Sequence, residues 1–210
     1  MGTYEPELQR AACDFIKSGV VIYDLGANIG FVSLLMARLI GDHGQVFSFE
    51  ALPKNISRLK DNIELNKLSQ RITIIPKAVV DRTRAVSFLI HASGAMGKAA
   101  GSAGRDEKYT EKINVDGIAL DDFIFKQRNP SPDLIKMDVE GGEILAINGM
   151  TRLLKRFHPI LFIEIHGEKA ANSVWTTLQN CDYSIFHMSR KYPAISRPEQ
   201  MDWKTYIIAK

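Results

Sequence analysis

The chemistry in this sequence is concentrated at three short stretches. The first is Asp24-Leu25-Gly26-Ala27-Asn28-Ile29-Gly30, which follows an apolar run and precedes a helix-period pattern. Gly26 and Gly30 lack a Cβ, so the backbone there can turn tightly and approach a ligand closely. Asn28 tolerates left-handed dihedrals better than most residues. A dinucleotide fingerprint would carry a middle glycine for close approach to pyrophosphate. Here that position is Asn28, and Asp24 stands two residues ahead of the first glycine. An anionic ligand would meet a carboxylate, whereas a ligand with an amino group or a positive centre suits it. No Lys-Ser or Lys-Thr pair follows the turn, so a phosphate loop is excluded.

The second stretch is "VFSFEA", where Glu50 closes an apolar run 26 residues after Asp24. An acid at that place can accept hydrogen bonds from both hydroxyls of a ribose. A surface strand-end acid is the other reading. S-adenosylmethionine joins an amine, a sulfonium and a ribose without phosphate, so the two stretches together predict it as cofactor.

The third is a pair of acidic strand ends, "PDLIKMDVEGGE" and "HPILFIEIHGE". Asp138 and Glu140 are two apart, as are Glu164 and His166, and on extended chain such residues share a side. If the strands are neighbours, the four converge near the first turn. Three uses are open. They hold a methionine amino group and a polar substrate. One of them, His166 by residue type, acts as general base on a substrate hydroxyl. Or they bind a divalent metal, although the spacing matches no fixed metal motif. The bland alternative is loop capping or pairing with Lys136 and arginines. Glu143 falls in a helix's first turn, where a carboxylate favours the dipole.

Those residues need a scaffold. Apolar runs of strand length cover Val20–Leu25, Val46–Glu50, Ile72–Ile75, Leu134–Val139 and Ile160–Ile165, and most are followed by helix-period segments. Val32, Met36 and Ile40 fall on one face, as do Leu52, Ile56, Leu59 and Ile63, and Ala170, Val174 and Leu178. The alternation predicts an α/β, Rossmann-like fold: an open, mostly parallel twisted sheet with helices on both faces. Residues 1–19 read as an N-terminal helical extension and 20–210 as one domain. Two extra strands, Ala85–Ile90 and Ile113–Val115, flank "HASGAMGKAAGSAGR", predicted as a mobile loop or lid within an insertion at about 76–118. Tyr183–Met188 and Tyr206–Ala209 leave no room for a helix between them. They predict an antiparallel C-terminal pair at a sheet edge.

Composition sets the remaining bounds. The chain of 210 residues is 45% hydrophobic, with a net charge of +3 and its basic residues scattered. Scattered charge argues against a nucleic-acid partner. Cys13 and Cys181 have no Cys or His at ligand spacing, and two lone thiols suit a reducing compartment. The polar start MGTYEPELQR is no signal peptide, and no apolar run reaches the ~20 residues that span a bilayer. A cytoplasmic protein without a membrane span is expected. Edge strands leave a homodimer open.

Taken together, "YDLGANIGFVSLLMARLIG", "GQVFSFEALPKNISRLKDNIELN", "PDLIKMDVEGGE" and "HPILFIEIHG" resemble the FkbM-type methyltransferases, from about Tyr23 to Gly167. The resemblance implies the class I methyltransferase fold and S-adenosylmethionine as cofactor. It implies O-methylation of a hydroxyl on a small molecule, sugar or natural product. Asp24, Gly26, Ala27, Asn28, Gly30 and Phe31 would wrap the methionine part. Glu50 and Ala51 would hold the ribose, and Lys77 and Ala78 would lie near the adenine. Asp138, Glu140, Glu164 and His166 would be the catalytic set, with no metal. Ala51 stands where proline is common in the family, and Gly142 where alanine is. The rivals are an RNA or protein methyltransferase on the same fold, a non-catalytic cofactor-binding module, and an NAD-linked oxidoreductase. The missing middle glycine disfavours the last.

Overall fold

The structure, a computed structural model, describes residues 4–91, 97–99, 102, 109–201 and 204–210. The chain opens with α1 (Pro6–Phe15), β1 (Val21–Leu25), α2 (Phe31–Leu39), β2 (Gln45–Phe49), α3 (Pro53–Leu65) and β3 (Ile72–Ile75). Then follow β4 (Ala78–Val79), β5 (Arg84–His91), β6 (Gly97–Ala99), β7 (Tyr109–Ile118) and α4 (Leu120–Phe125). The last part holds β8 (Leu134–Met137), α5 (Glu143–Asn148), α6 (Thr151–Phe157), β9 (Ile160–Ile165), α7 (Glu168–Gln179), β10 (Ile185–His187) and β11 (Thr205–Ala209).

Seven strands form one sheet in the order β10-β11-β9-β8-β1-β2-β3. The five strands from β9 to β3 run parallel. β11 enters antiparallel between β9 and β10, so the predicted C-terminal pair exists but only β10 is an edge. Strand order reverses between β1 and β8, where a doubly wound sheet opens a crevice beyond its carboxyl ends.

Why these runs are apolar throughout is visible from parity. Tyr23, Phe47, Ile135 and Leu161 point to one face, packed by α4 to α7. Their neighbours Ile22, Val46, Leu134 and Phe162 point to the other, packed by α1, α2 and α3. Both faces are buried, so alternation with polar residues is lost. Tyr23, Phe47, Phe49 and Phe123 pack as a mutual cluster, ring centroids 5.2 to 6.0 Å apart. Tilted and edge-to-face pairs of this kind each add about 0.5–1.5 kcal/mol beyond area burial. The cluster fixes the end of β2, and with it Glu50.

The segment between β3 and β8 forms its own sheet, β4-β7-β5-β6, with Phe88, Val80 and Ala99 in a separate small core. Most of the predicted loop between the two extra strands, including residues 92–96 and 103–108, lies outside the described residues. Residues 97–99 pair with β5 as a short strand, which the loop reading did not foresee. Val139 and Glu50 fall just beyond their strands rather than within them. Among the described residues no helix is long and apolar enough to cross a membrane.

Candidate active site

A cavity of about 450 Å³ lies beyond the carboxyl ends of β1, β2 and β8. Its wall includes Gly26, Ala27, Asn28, Phe31, Glu50, Ala51, Lys77 and Ala78, all expected from sequence. Asp138 and Glu140 line it as well. Asp24, Gly30, Glu164 and His166 stand behind this wall.

The first turn is held from several sides. Gly26 and Ala27 both donate from their amides to the carbonyl of Phe49, at 3.0 and 2.9 Å. Asn28 is left-handed, φ 51°, and its amide donates to Glu50 Oε2 at 2.8 Å. Gly26 has φ 76°, and a Cβ placed there would sit 1.9 Å from the carbonyl oxygen of Asp138. The missing side chain therefore serves the close crossing of β1 and β8 as well as any ligand.

Glu50 is 7% exposed. Its Oε1 accepts from the amides of Ala51 and Leu52 at 3.0 and 2.8 Å, so both oxygens are anchored. Burial pushes its carboxyl up, and the bonds from Leu52, Asn28, Ala51 and Asn55 oppose that. Three backbone amides and the Asn55 side chain together match the about four lone-pair directions of a carboxylate, so a ligand hydroxyl there would share an oxygen or displace Asn55.

Asp24 is fully buried and does not face the cavity openly. Ser33 Oγ donates to its Oδ2 at 2.5 Å, and Ser48 Oγ donates to Ser33 Oγ at 2.8 Å. Lys136 Nζ lies 3.2 Å from Asp24 Oδ1, donates to the carbonyl of Gly26 at 3.2 Å, and stands 3.8 Å from Asp138 Oδ2. Burial works against the Lys136 charge, but Asp24, Asp138 and Glu5 outweigh it and hold the ammonium above the usual lysine range. Lys136 also lines the cavity. Sequence reasoning treated it only as a bland partner. Its signal was a lone cation inside "LIKM", a four-residue strand buried throughout.

The acidic residues converge, but not by strand parity. β8 ends at Met137, and Glu140 sits at φ 51°, so a left-handed turn rather than extended chain brings it back. His166 Nε2 is 3.8 Å from Glu140 Oε2 and 3.7 Å from Glu164 Oε1. His166 Nδ1 donates to Oε1 of the fully buried Glu143 at 2.7 Å. The Gly141 amide donates to the same oxygen at 3.1 Å. Burial opposes the imidazolium, yet Glu143, with Asp138 and Glu164, raises His166 from its ordinary 6.5 to about 9. Burial drives Glu164 up to about 7, with Asp138 adding to it while Tyr206 donates to Glu164 and counters. Glu140 is raised too, first by burial and then by Asp138. Glu143, expected only at a helix start, is the residue that fixes the His166 ring.

Asp138, Glu140 and His166 bring one ligand atom each within 4.8 Å of one another, a spacing that could surround a cation. The neighbouring acids favour the imidazolium form of His166, so a cation at Nε2 would have to displace a proton from that ring.

Residues 24–185 match the family model described as the methyltransferase FkbM domain. The chain is 27% identical over 173 residues to the hexuronic acid methyltransferase AglP of Haloferax volcanii, covering 78% of this chain and 63% of that protein. It therefore spans under two thirds of that relative's length. The crystal structure of the methyltransferase FkbM of Methylobacillus flagellatus KT superposes with a TM-score of 0.61 at 20% identity, over 93% of this chain and 44% of that one. Aeropyrum pernix fibrillarin, solved with natively bound S-adenosyl-L-methionine, gives 0.54 at 14% identity, over 97% and 75%. The fold is that of the class I methyltransferases.

Proposed function

The chain belongs to the FkbM-domain methyltransferases, and from that premise we propose that it transfers a methyl group from S-adenosylmethionine to a hydroxyl of a sugar or related small molecule. The observation that carries the reading is the cavity at the strand-order switch, with Glu50 anchored on one side and Asp138 on the other. Asp138 Oδ1 is buried with no hydrogen-bond partner among the described residues, an acceptor suited to a ligand amine. A pyrophosphate in the same place would face Glu50, Asp138 and Glu140, so a dinucleotide fits poorly.

When bound, the cofactor supplies an electrophilic methyl group on a positively charged sulfur. The residues of the chain position and exclude water, and positioning alone can be worth roughly 7–11 kcal/mol. Glu50 holds the ribose hydroxyls, which share its oxygens with the amides or take the place of Asn55. Ala51, Lys77 and Ala78 flank the adenine, and the first turn from Gly26 to Phe31 wraps the methionine part. The proton of the acceptor hydroxyl goes to Glu140, the catalytic-set carboxylate at the wall with a raised pKa. A carboxyl poised upward is a better base near neutrality than an ordinary one. His166, already protonated, is the counter-charge behind Glu140, with Glu164 beside it. No metal is assigned a role.

A sugar acceptor is favoured because a relative covering most of this chain is named for hexuronic acids. The test is incubation with methyl-labelled S-adenosylmethionine and a panel of hexuronic acids, neutral sugars and phenolic hydroxyls, read by mass spectrometry. Label on a sugar hydroxyl is expected. Label only on RNA or protein added in parallel would overturn the acceptor class.

A further inference from the structure

The leading segment reaches the cavity, and nothing assigns it a role. Tyr4 and Glu5 line the same wall as Gly26, Lys136 and Asp138. Glu5 caps α1 in a left-handed conformation, φ 45° and ψ 60°, with Pro6 starting the helix behind it. Gln9 is buried, and its Nε2 donates to the Tyr4 carbonyl at 2.5 Å. The Tyr4 ring meets Phe31 edge-on, centroids 4.8 Å apart, which ties the segment to the first residue of α2. Leu8, Ala11 and Ala12 anchor α1 in the core under that helix.

Charge then selects a ligand. Asp24 and Lys136 cancel as a buried pair. Asp138 and Glu5 remain, both within electrostatic reach of Lys136 and of each other. Lys136, the cation set against these two carboxylates, is already paired with Asp24, so Asp138 and Glu5 favour a ligand that brings positive charge to this end of the cavity. Asp138 Oδ1 is buried there and has no hydrogen-bond partner among the described residues.

We propose that Glu5 is a ligand-binding residue: with Asp138 it grips the α-ammonium of an amino-acid moiety at this end of the cavity, and Lys136 is the positioning residue between them. The inference rests on the cofactor reading above, because the methionine end of S-adenosylmethionine is such a moiety. It makes the leading segment part of the cofactor site and gives the cavity its preference for an amino-acid tail.

Calorimetry with two ligands tests it. S-adenosylhomocysteine carries the amino-acid tail, and 5′-methylthioadenosine lacks it. In the full chain, Glu5→Gln should weaken S-adenosylhomocysteine by about tenfold, the size expected for one charge-assisted hydrogen bond. It should leave 5′-methylthioadenosine within about twofold. Glu5→Asp should recover part of the loss. Unchanged S-adenosylhomocysteine affinity in Glu5→Gln overturns the assignment. So does equal weakening of both ligands, which marks a merely structural role. Wild-type protein that binds neither ligand overturns the cofactor reading itself, a result distinct from either.

Discussion

Lys136 Nζ sits 3.2 Å from Asp24 Oδ1, and the two residues are register partners across β1 and β8. The pair is buried at the switch in strand order, under the turn that faces the cavity. Removing one member of such a pair leaves an uncompensated charge, which costs about 3–5 kcal/mol. Lys136→Met should therefore lower unfolding free energy by about that amount in a urea titration. Asp24→Asn combined with Lys136→Met should recover most of it. A Lys136→Met protein as stable as wild type would show that Asp24 does not need the cation.

Gly26 and Gly30 look alike in sequence and differ in what opposes them. A Cβ at Gly26 meets the Asp138 backbone carbonyl at 1.9 Å, and one at Gly30 meets Leu59 Cδ1 at 2.4 Å. Both have positive φ, so alanine at either carries about 1–2 kcal/mol of strain. Backbone cannot step aside, but the end of a leucine can. Gly26→Ala should be the more destabilising by thermal melt. Leu59→Ala should relieve the clash in Gly30→Ala and do nothing for Gly26→Ala. Equal melting temperatures for the two alanine variants would contradict this.

The strands were legible because burial on both faces leaves continuous apolar strings, as in Ile72–Ile75 and Ile160–Ile165. The turn and Glu50 were legible because a glycine-punctuated bend after such a string has few other uses. Lys136 was not, since its partner Asp24 is 112 residues away and is found only through strand order. Glu5 was not, because nothing local says where an amphipathic helix such as α1 docks. α5 and α6 span 6 and 7 residues, too short for a helical period to declare itself. Asp138 and Glu140 met His166 as expected, but through a left-handed turn that strand parity does not describe.

His166 links stability to pH. Its folded pKa, about 9, lies above the ordinary 6.5. A raised pKa means the folded state binds the proton more tightly, so the contribution is full below about pH 6.5 and fades as pH climbs through about 9. The groups facing it are Glu143 on α5, Asp138 and Glu140 after β8, and Glu164 on β9. Glu164, raised from 4.5 to about 7, acts with the same sign over a lower window, its contribution fading between about pH 4.5 and 7. Stability should fall by up to about 3 kcal/mol between pH 6.5 and 9. Glu143→Gln should flatten the fall, since it removes the 2.7 Å partner. A wild-type protein whose unfolding midpoint is constant over that range would contradict the imidazolium assignment.

The same imidazolium bears on metal. If His166 stays protonated between Glu140 and Glu164, a chelator should leave methyl transfer within about twofold. Strict dependence on an added divalent cation would instead place that ion among Asp138, Glu140 and His166, and the pH dependence above would vanish with it.

Glu140 and His166 separate in their kinetic signatures. Glu140 lines the cavity, whereas His166 is 2% exposed and 3.8 Å behind it. A general base contributes about 10²- to 10⁴-fold, so Glu140→Gln should lower kcat by that factor. Affinity for S-adenosylhomocysteine should hardly change, because Glu140 is not among the residues that grip it. His166→Gln removes a charge that acts only through Glu140. It should lower kcat less, and shift the acidic limb of the kcat profile upward, since the Glu140 carboxyl would then lose the cation that lowers its pKa. Should Glu140→Gln turn over like wild type while His166→Gln is inactive, the roles assigned to the two would be reversed. The proton would then leave through the ring despite its position behind the wall.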